Sequence, residues 1–291
     1  MSYLVLKRGM SLSRSIDDYP DGIVIPVDKP WRWTSADVIR KVKWMAIKHF
    51  QKRNLKVGHA GTLDPLATGV LLVCVGKATK LSEELQKQPK QYLAGVTFGA
   101  TTASYDREKE VDSFFPSDGV SRDALQAVLP SFLGEQDQVA PLFSAKSVDG
   151  VRMYELARKR YKAGLPVEEP GLLQASHITI YDLKLESYHV PQGENLPESA
   201  SDISANGASG RINVAEVPSG LPQAEILVDC SKGTYIRALA RDLGEALGGG
   251  AFLHSLRRTR NGGFAVEDAL GIPDIEAVFT MDISQSHQAG S

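Results

Sequence analysis

The chain has few of the residues that hold metals or disulfides. Two cysteines and six histidines in 291 residues leave little from which to build a disulfide framework or a metal centre. Cys74 sits inside the apolar run VLLVCV and Cys230 closes ILVDC, so buried, reduced thiols are expected at both positions. The histidines are scattered and none is grouped with cysteine at zinc spacing, so no metal is expected. Long hydrophobic runs are also missing; nothing approaches the ~18 apolar residues of a membrane span. The opening MSYLVLKRGMSLSRS carries one short apolar patch, too short for a secretory signal core. These absences predict a cytoplasmic protein with no membrane partner.

A marked net charge is lacking too, at −2 overall, but the average conceals an asymmetry. Between Lys29 and Lys56 the chain carries nine Lys/Arg and a single acid, Asp37, a net of +8. Smaller basic clusters follow in RMYELARKRYK (152–162) and LRRTR (256–260). Any one of them reads as a solvated surface. Three of them, interleaved with Trp31, Trp33, Trp44, Tyr154 and Tyr161, also suit RNA, because cations release counterions from phosphates and rings stack on bases.

With 42% hydrophobic residues the chain can bury a sizeable core. DGIVIPVDKP (21–30) reads as a strand stopped by Lys-Pro. TSADVIRKVKWMAIKHF (34–50) has apolar residues at 38, 42, 45, 46 and 50, a helical spacing, with Thr34 and Asp37 in capping-box register. VLLVCVG (70–76) and YLAGVTFGATT (92–102) read as strands. SRDALQAVLPSFLGE (121–135) predicts a helix up to about Pro130, and VRMYELARKRY (151–161) another. ASHITIYDLKLESYHV (175–190) alternates as a strand pair would. AEILVDCSKGTYIRALARDLGEALGGG (224–250) predicts strand, turn and helix, and AFLHSLRRTRNGGFAV (251–266) a strand pair around Asn-Gly-Gly. Helices and strands mix without strict alternation, so the expected class is α+β around a mixed, mostly antiparallel sheet flanked by helices. The domain plan is an extension over 1–20, one catalytic domain over 21–275, and a tail over 276–291. A Pro/Gly/Ser-rich flexible insertion is expected over 191–222.

One stretch carries chemistry: HAGTLDPLATG (59–69), which runs straight into VLLVCV. An Asp-Pro turn ordinarily satisfies its own backbone, and Asp64 alone needs no further role. Here, however, Gly58, Gly61 and Gly69 frame the acid and set it against a buried strand, where lost hydration calls for a compensating cation. Arg237, just after the Gly233 turn at a predicted helix start, is the best candidate for that cation. An acid so paired stays ionised at neutral pH, which suits a nucleophile or electrostatic stabiliser and not a general acid.

GHAGTLDPLATGVLLVCVGKATKL (58–81) closely resembles the active-site motif of the TruB family of pseudouridine synthases, which isomerise uridine 55 in the T-loop of tRNA. DKPWRWTS (28–35) resembles that family's Lys-Pro motif, KQYLAGVTFGATT (90–102) the segment with its active-site tyrosine, and PLFSAKSVDGVRMYELAR (141–158) a further family stretch. DCSKGTYIRALARDLGEALG and LRRTRNGGF resemble its C-terminal motifs, in family order across about residues 23–268. The resemblance implies a pseudouridine synthase fold with Asp64 as catalytic carboxylate. It also implies substrate contacts by Tyr92, Tyr235, Arg237, Leu256, His59 and Lys29. It implies no metal and no cofactor, since breaking C1′–N1, turning the uracil and forming C1′–C5 moves neither electrons nor phosphoryl groups. The partner is the tRNA T-arm, met by a monomer. Asp64 either attacks C1′ or removes the 2′ proton, and both routes stay open. Two departures stand out: Arg32 where the family usually has Gly, and Ala103 where it has the first of two acids, the second being Asp106. The appended PUA domain of many members is not expected to be complete. An RNA-binding or tRNA-folding chaperone, or a related synthase acting on other RNA uridines, are the alternative readings.

Overall fold

The computed structural model describes residues 3–144, 146–148, 150–167, 173–191 and 212–280. These fall into two compact units, one holding the residues up to Lys90 and from Arg258 onward, the other those from Gln91 to Arg257.

In the first unit, β1 (Leu4–Val5) pairs in parallel with β2 (Ile23–Lys29). β2 runs antiparallel to β4 (Ala67–Val75) from Ile23↔Val75 to Lys29↔Gly69. β3 (Val57–Ala60) pairs with Leu72–Val75 of the same strand. The end of β4 is thus flanked by two partners, and all of Val70 to Val75 are buried. Burial of every residue means that both faces are covered, which explains a continuous apolar run where a half-exposed strand would alternate. α1 (Ser35–Phe50) opens on the expected capping box, Thr34 accepting from the Asp37 amide while Asp37 accepts from that of Thr34. Its apolar positions Val38, Val42, Met45, Ala46 and Phe50 are all buried, each large one contributing roughly 1.5–3 kcal/mol. A short α2 (Ser82–Lys87) follows β4.

In the second unit, β5 (Lys90–Phe98), which starts at the unit boundary, leads a hairpin of β6 (Ala100–Thr102) and β7 (Val111–Phe114). α3 (Arg122–Val128) ends in a 3-10 turn through Pro130, as expected. β8 (Gly134–Gln138) is followed by a small β9 (Ser147–Val148) and β10 (Val151–Arg152) pair and by α4 (Met153–Lys162). β11 (Ser176–His189) lies antiparallel between β8 and β12 (Gln223–Cys230). This corrects the strand-pair expectation for 175–190. The segment has no Gly, Pro or Asn at its middle, and one long strand absorbs the irregularity as bulges at Ile180/Asp182 and Leu185/Ser187. α5 (Ile236–Ala246) follows β12.

β13 (Ala251–Asn261) begins in the second unit and ends in the first, where Gly262 and Gly263 turn it into β14 (Phe264–Ala265). α6 (Ile272–Thr280) buries Ile275, Val278 and Phe279, so ordered structure passes the boundary expected at 275. The His49 ring meets the Phe279 carbonyl at 2.8 Å. Within the expected insertion, residues 192–211 lie outside the described residues. Beyond them, Ala215 exchanges two hydrogen bonds with Arg107, at 2.7 and 2.8 Å. Both cysteines are buried free thiols. No helix among the described residues is long and apolar enough to cross a membrane.

Candidate active site

In the first unit, buried cations and a serine hydroxyl hold the backbone of the loop that carries the acid. Asp64 lies on the loop between β3 and β4, half-buried, its carbonyl accepting from the Ala67 amide at 3.1 Å to close a turn. Gly61, at the start of the loop, and Gly69, early in β4, have φ +87° and +96°, in the left-handed region that side chains avoid. At Gly69 a Cβ would overlap the Arg258 carbonyl, so only glycine lets the two strands approach this closely.

Three side chains fix the loop. Ser35, the first residue of α1, exchanges hydrogen bonds with Leu63, donating to its carbonyl at 3.1 Å and accepting from its amide at 3.0 Å. Lys29, at the end of β2 and fully buried, donates to the carbonyls of Pro30 (2.9 Å), Trp33 (2.5 Å) and Pro65 (3.1 Å). Arg258, 1% exposed, donates from Nε to Val70 O at 2.7 Å and from Nη2 to Gly61 O at 3.0 Å. It therefore grips the segment before the acid and the strand after it. A guanidinium suits this because its donors diverge in a rigid fork.

The electrostatics follow from burial. Desolvation pushes the Lys29 ammonium down from 10.5 to about 7; Asp64, the largest opposing influence, pulls it up, and Arg258 pushes it further down. Within this unit, Lys29 is thus one cation coupled to Asp64. Burial, and then Arg258, hold the His59 imidazole below the usual histidine range. His59 stands on β3, and its Nδ1 is buried without a hydrogen-bond partner among the described residues.

Arg32 has φ +61° and lies over the Trp31 ring at 5.5 Å. The backbone at this departure therefore keeps the left-handed geometry a glycine would adopt, with the strain borne by an arginine.

The second unit holds Tyr92, Tyr235, Arg237 and Leu256. Tyr92 is a buried residue of β5 and Leu256 a half-buried one of β13. Tyr235 caps α5; its amide donates to the Gln138 side-chain oxygen at 2.8 Å, and its carbonyl accepts from the Gln138 amide group at 3.2 Å. Arg237 follows in the first turn of α5, 4% exposed, as the turn-then-helix reading expected. It donates to Ser104 O at 3.0 Å and Phe143 O at 2.7 Å, and its Nε stands 3.7 Å from Asp106. Asp106, the retained second acid, also accepts from Ser104 Oγ at 2.6 Å and the Glu108 amide at 2.9 Å. Ala103, the lost first acid, lies on the wall of a cavity of about 660 Å³ with Tyr105, Phe115, Tyr161 and Arg241.

Sequence reasoning missed Ser35, Asp106 as a neighbour of Arg237, and above all Arg258. Arg258 had been counted within the LRRTR cluster as a cation available to solvent or RNA, and its burial corrects that. Only a coarse signal was present: LRRTR falls inside a predicted strand, where alternate residues turn away from solvent, but that alternation puts Arg258 and Arg260 on one face and does not tell them apart.

This arrangement presents one carboxylate on a rigid, glycine-framed loop backed by buried cations. A crystal structure of a Cbf5-Nop10-Gar1 complex contains a chain that superimposes with a TM-score of 0.55 at 25% identity, covering 88% of this chain and 54% of that one. This chain thus spans about half the length of that protein, and shares with it the pseudouridine synthase fold. The family model for TruB family pseudouridylate synthase (N terminal domain) matches residues 48–205, and that for the tRNA pseudouridylate synthase B C-terminal domain matches 237–288. The tRNA pseudouridine synthase B of Phocaeicola vulgatus is 41% identical over 255 residues, covering 88% of this chain and 92% of that protein. The protein of the same name from Bacteroides thetaiotaomicron is 43% identical over 253 residues, covering 87% and 91%. The chain belongs to the TruB family of pseudouridylate synthases.

Proposed function

We propose that this protein isomerises uridine 55 in the T-loop of tRNA to pseudouridine, with Asp64 as the catalytic carboxylate. The observation that carries the reading is the clamped loop. Asp64 is the acid at the centre of the family motif, and Ser35, Lys29 and Arg258 hold the backbone on both sides of it. A carboxylate that meets a sugar must arrive in one orientation, and a preset loop removes that search from the reaction barrier.

The chemistry balances without an external reagent. The C1′–N1 bond breaks, the uracil turns within its pocket, C5 bonds to C1′, and the proton on C5 is lost as N1 gains one. Asp64 serves either by attacking C1′ or by removing the 2′ proton; in both routes it acts as an anion. A stacked base is out of reach, so the uridine must be flipped out, at a cost of a few kcal/mol. His59 suits the displaced RNA, while Tyr92, Tyr235 and Leu256 suit the detached base, which water must not reach. Arg237 and Lys29 supply positive charge. The catalytic domain, expected over 21–275, extends through α6, and the protein acts as a monomer in the cytoplasm, a reducing compartment that suits two free thiols.

The test is to incubate the protein and its Asp64→Asn variant with unmodified tRNA transcript and map pseudouridine by site. The expected result is modification at position 55 by the wild type and none by the variant, with tRNA affinity retained. Turnover by the variant, or wild-type modification elsewhere only, overturns the proposal. Binding with no modification at all would favour the chaperone reading.

A further inference from the structure

The +8 segment is not uniformly available to a ligand. Lys41 is engaged with Glu276 at 3.3 Å, Lys52 with Asp17 at 3.0 Å, and Arg40 with Asp37. Three other cations, Lys43 on α1 and Arg53 and Lys56 on the loop after it, are exposed and make no ion pair among the described residues. They converge on one open recess of about 550 Å³ that no carboxylate lines. Asn54, Thr79 and Ser82 add amide and hydroxyl groups to its wall, and His59 also lines it.

We infer that this recess seats the sugar-phosphate backbone of the RNA strand beside the flipped uridine. The inference rests on the function proposed above and deepens it. Like charges gathered without a counter-charge repel one another, so such a cluster is stabilised by an anion that spans all three. A polyanionic strand does that, and the Asn54 side-chain amide can donate to phosphate oxygens, while the Thr79 and Ser82 hydroxyls, which already donate to the Gly76 and Thr79 carbonyls, can accept from a ribose hydroxyl. A membrane surface fits less well, because the apolar wall residues, Leu55 and Val57, are buried and half-buried and offer nothing to insert. The location also fits. His59 belongs to the recess and precedes Asp64 by five residues, so extended chain could separate them by at most about 18 Å. That is a span of a few nucleotides. The imidazole, held below the usual histidine range by burial and by Arg258, is neutral and fits a boundary position because it does not compete for the phosphates.

The test compares a Lys43→Gln, Arg53→Gln, Lys56→Gln triple variant with a Lys41→Gln, Lys52→Gln control, whose cations are already engaged. Equilibrium binding of unmodified tRNA transcript is measured from low to high salt, with thermal unfolding to verify the fold. The triple variant is expected to bind less tightly, with the slope of log affinity against log salt smaller by about 2 to 3, and the control to keep the wild-type slope. An unchanged slope in the triple variant, or an equal loss in the control, overturns the inference. The two proposals fail separately. A wild type that modifies uridine 55 while the triple variant keeps its slope removes only the recess. A wild type that makes no pseudouridine removes the function, and the slopes still report on the recess.

Discussion

Lys29 Nζ lies 3.1 Å from the carbonyl oxygen of Pro65, the residue that follows Asp64. A fully buried ammonium thus holds the catalytic loop by its backbone, next to the acid that most strongly favours its charge. Such a contact ties the loop's geometry to a proton.

That coupling predicts a pH dependence of stability. Lys29 is pushed from 10.5 to about 7 in the folded chain, chiefly by burial. Between those values the unfolded chain carries a proton here that the folded chain lacks, so stability rises with pH across that window. Below about pH 7 both states are protonated and the penalty of burying the charge is felt in full. Urea unfolding from pH 6.5 to 10 should show the rise in the wild type and a flatter profile in Lys29→Met. An equal rise in both would assign it to another group.

Arg258 is expected to act as a positioning residue. Arg258→Met removes the donors to Gly61, Thr62 and Val70 and leaves buried carbonyls unsatisfied, each worth about 1–3 kcal/mol. A loop displaced by about 1 Å can cost on the order of 100-fold in rate. The expected outcome is a large fall in kcat with KM for tRNA little changed, and partial recovery in Arg258→Lys, which restores a charge but not the fork. Equal falls in kcat for both variants, or a change confined to KM, would contradict the positioning role.

Gly69→Ala tests the strand approach that this grip requires. The added Cβ meets the Arg258 carbonyl and its amide nitrogen, the latter at 2.8 Å, and φ +96° is itself strained for alanine. Backbone cannot yield as a side-chain tip does, so a loss of at least about 3 kcal/mol is expected from overlap and strain together. Gly9→Ala, at φ +75° but with nothing within 4 Å, isolates the conformational part. Comparable losses in denaturant midpoint for the two variants would show that strain alone, without the strand contact, explains the effect.

Much of this was legible in the sequence because it depends on local rules. The Thr34/Asp37 capping box, the 38/42/45/46/50 face of α1 and the double-glycine turn before β14 follow from spacing and residue type, and each is formed as read. Asp64 stood out through its glycine frame. What did not show was partner choice at long range. The three carbonyls that receive Arg258 lie nearly two hundred residues away in the chain, and nothing in LRRTR separates a buried arginine from its exposed neighbour Arg260. Arg40, Lys41 and Lys52 likewise counted as open charge until packing placed Asp37, Glu276 and Asp17 beside them. Alternation in 175–190 could not tell a hairpin from one bulged strand, because either satisfies the same pattern.

Asp106 offers a test of the second unit. Its carboxylate stands 3.7 Å from the Arg237 Nε and accepts from Ser104 Oγ and the Glu108 amide, all at a buried site. Asp106→Asn keeps the shape but removes the charge, and breaking a buried pair costs about 3–5 kcal/mol, with the low end expected at this separation. Glu108 provides an independent readout. Burial first, and then Asp106, push its carboxyl above the usual range, while Arg237 pulls it down. With Asp106 neutral the repulsion is gone and Arg237 remains, so the Glu108 titration should shift to lower pH. NMR titration of the Glu108 side chain in the two proteins checks this. A Glu108 carboxyl that stays put while stability falls would mean that Asp106 acts through its hydrogen bonds and not through its charge.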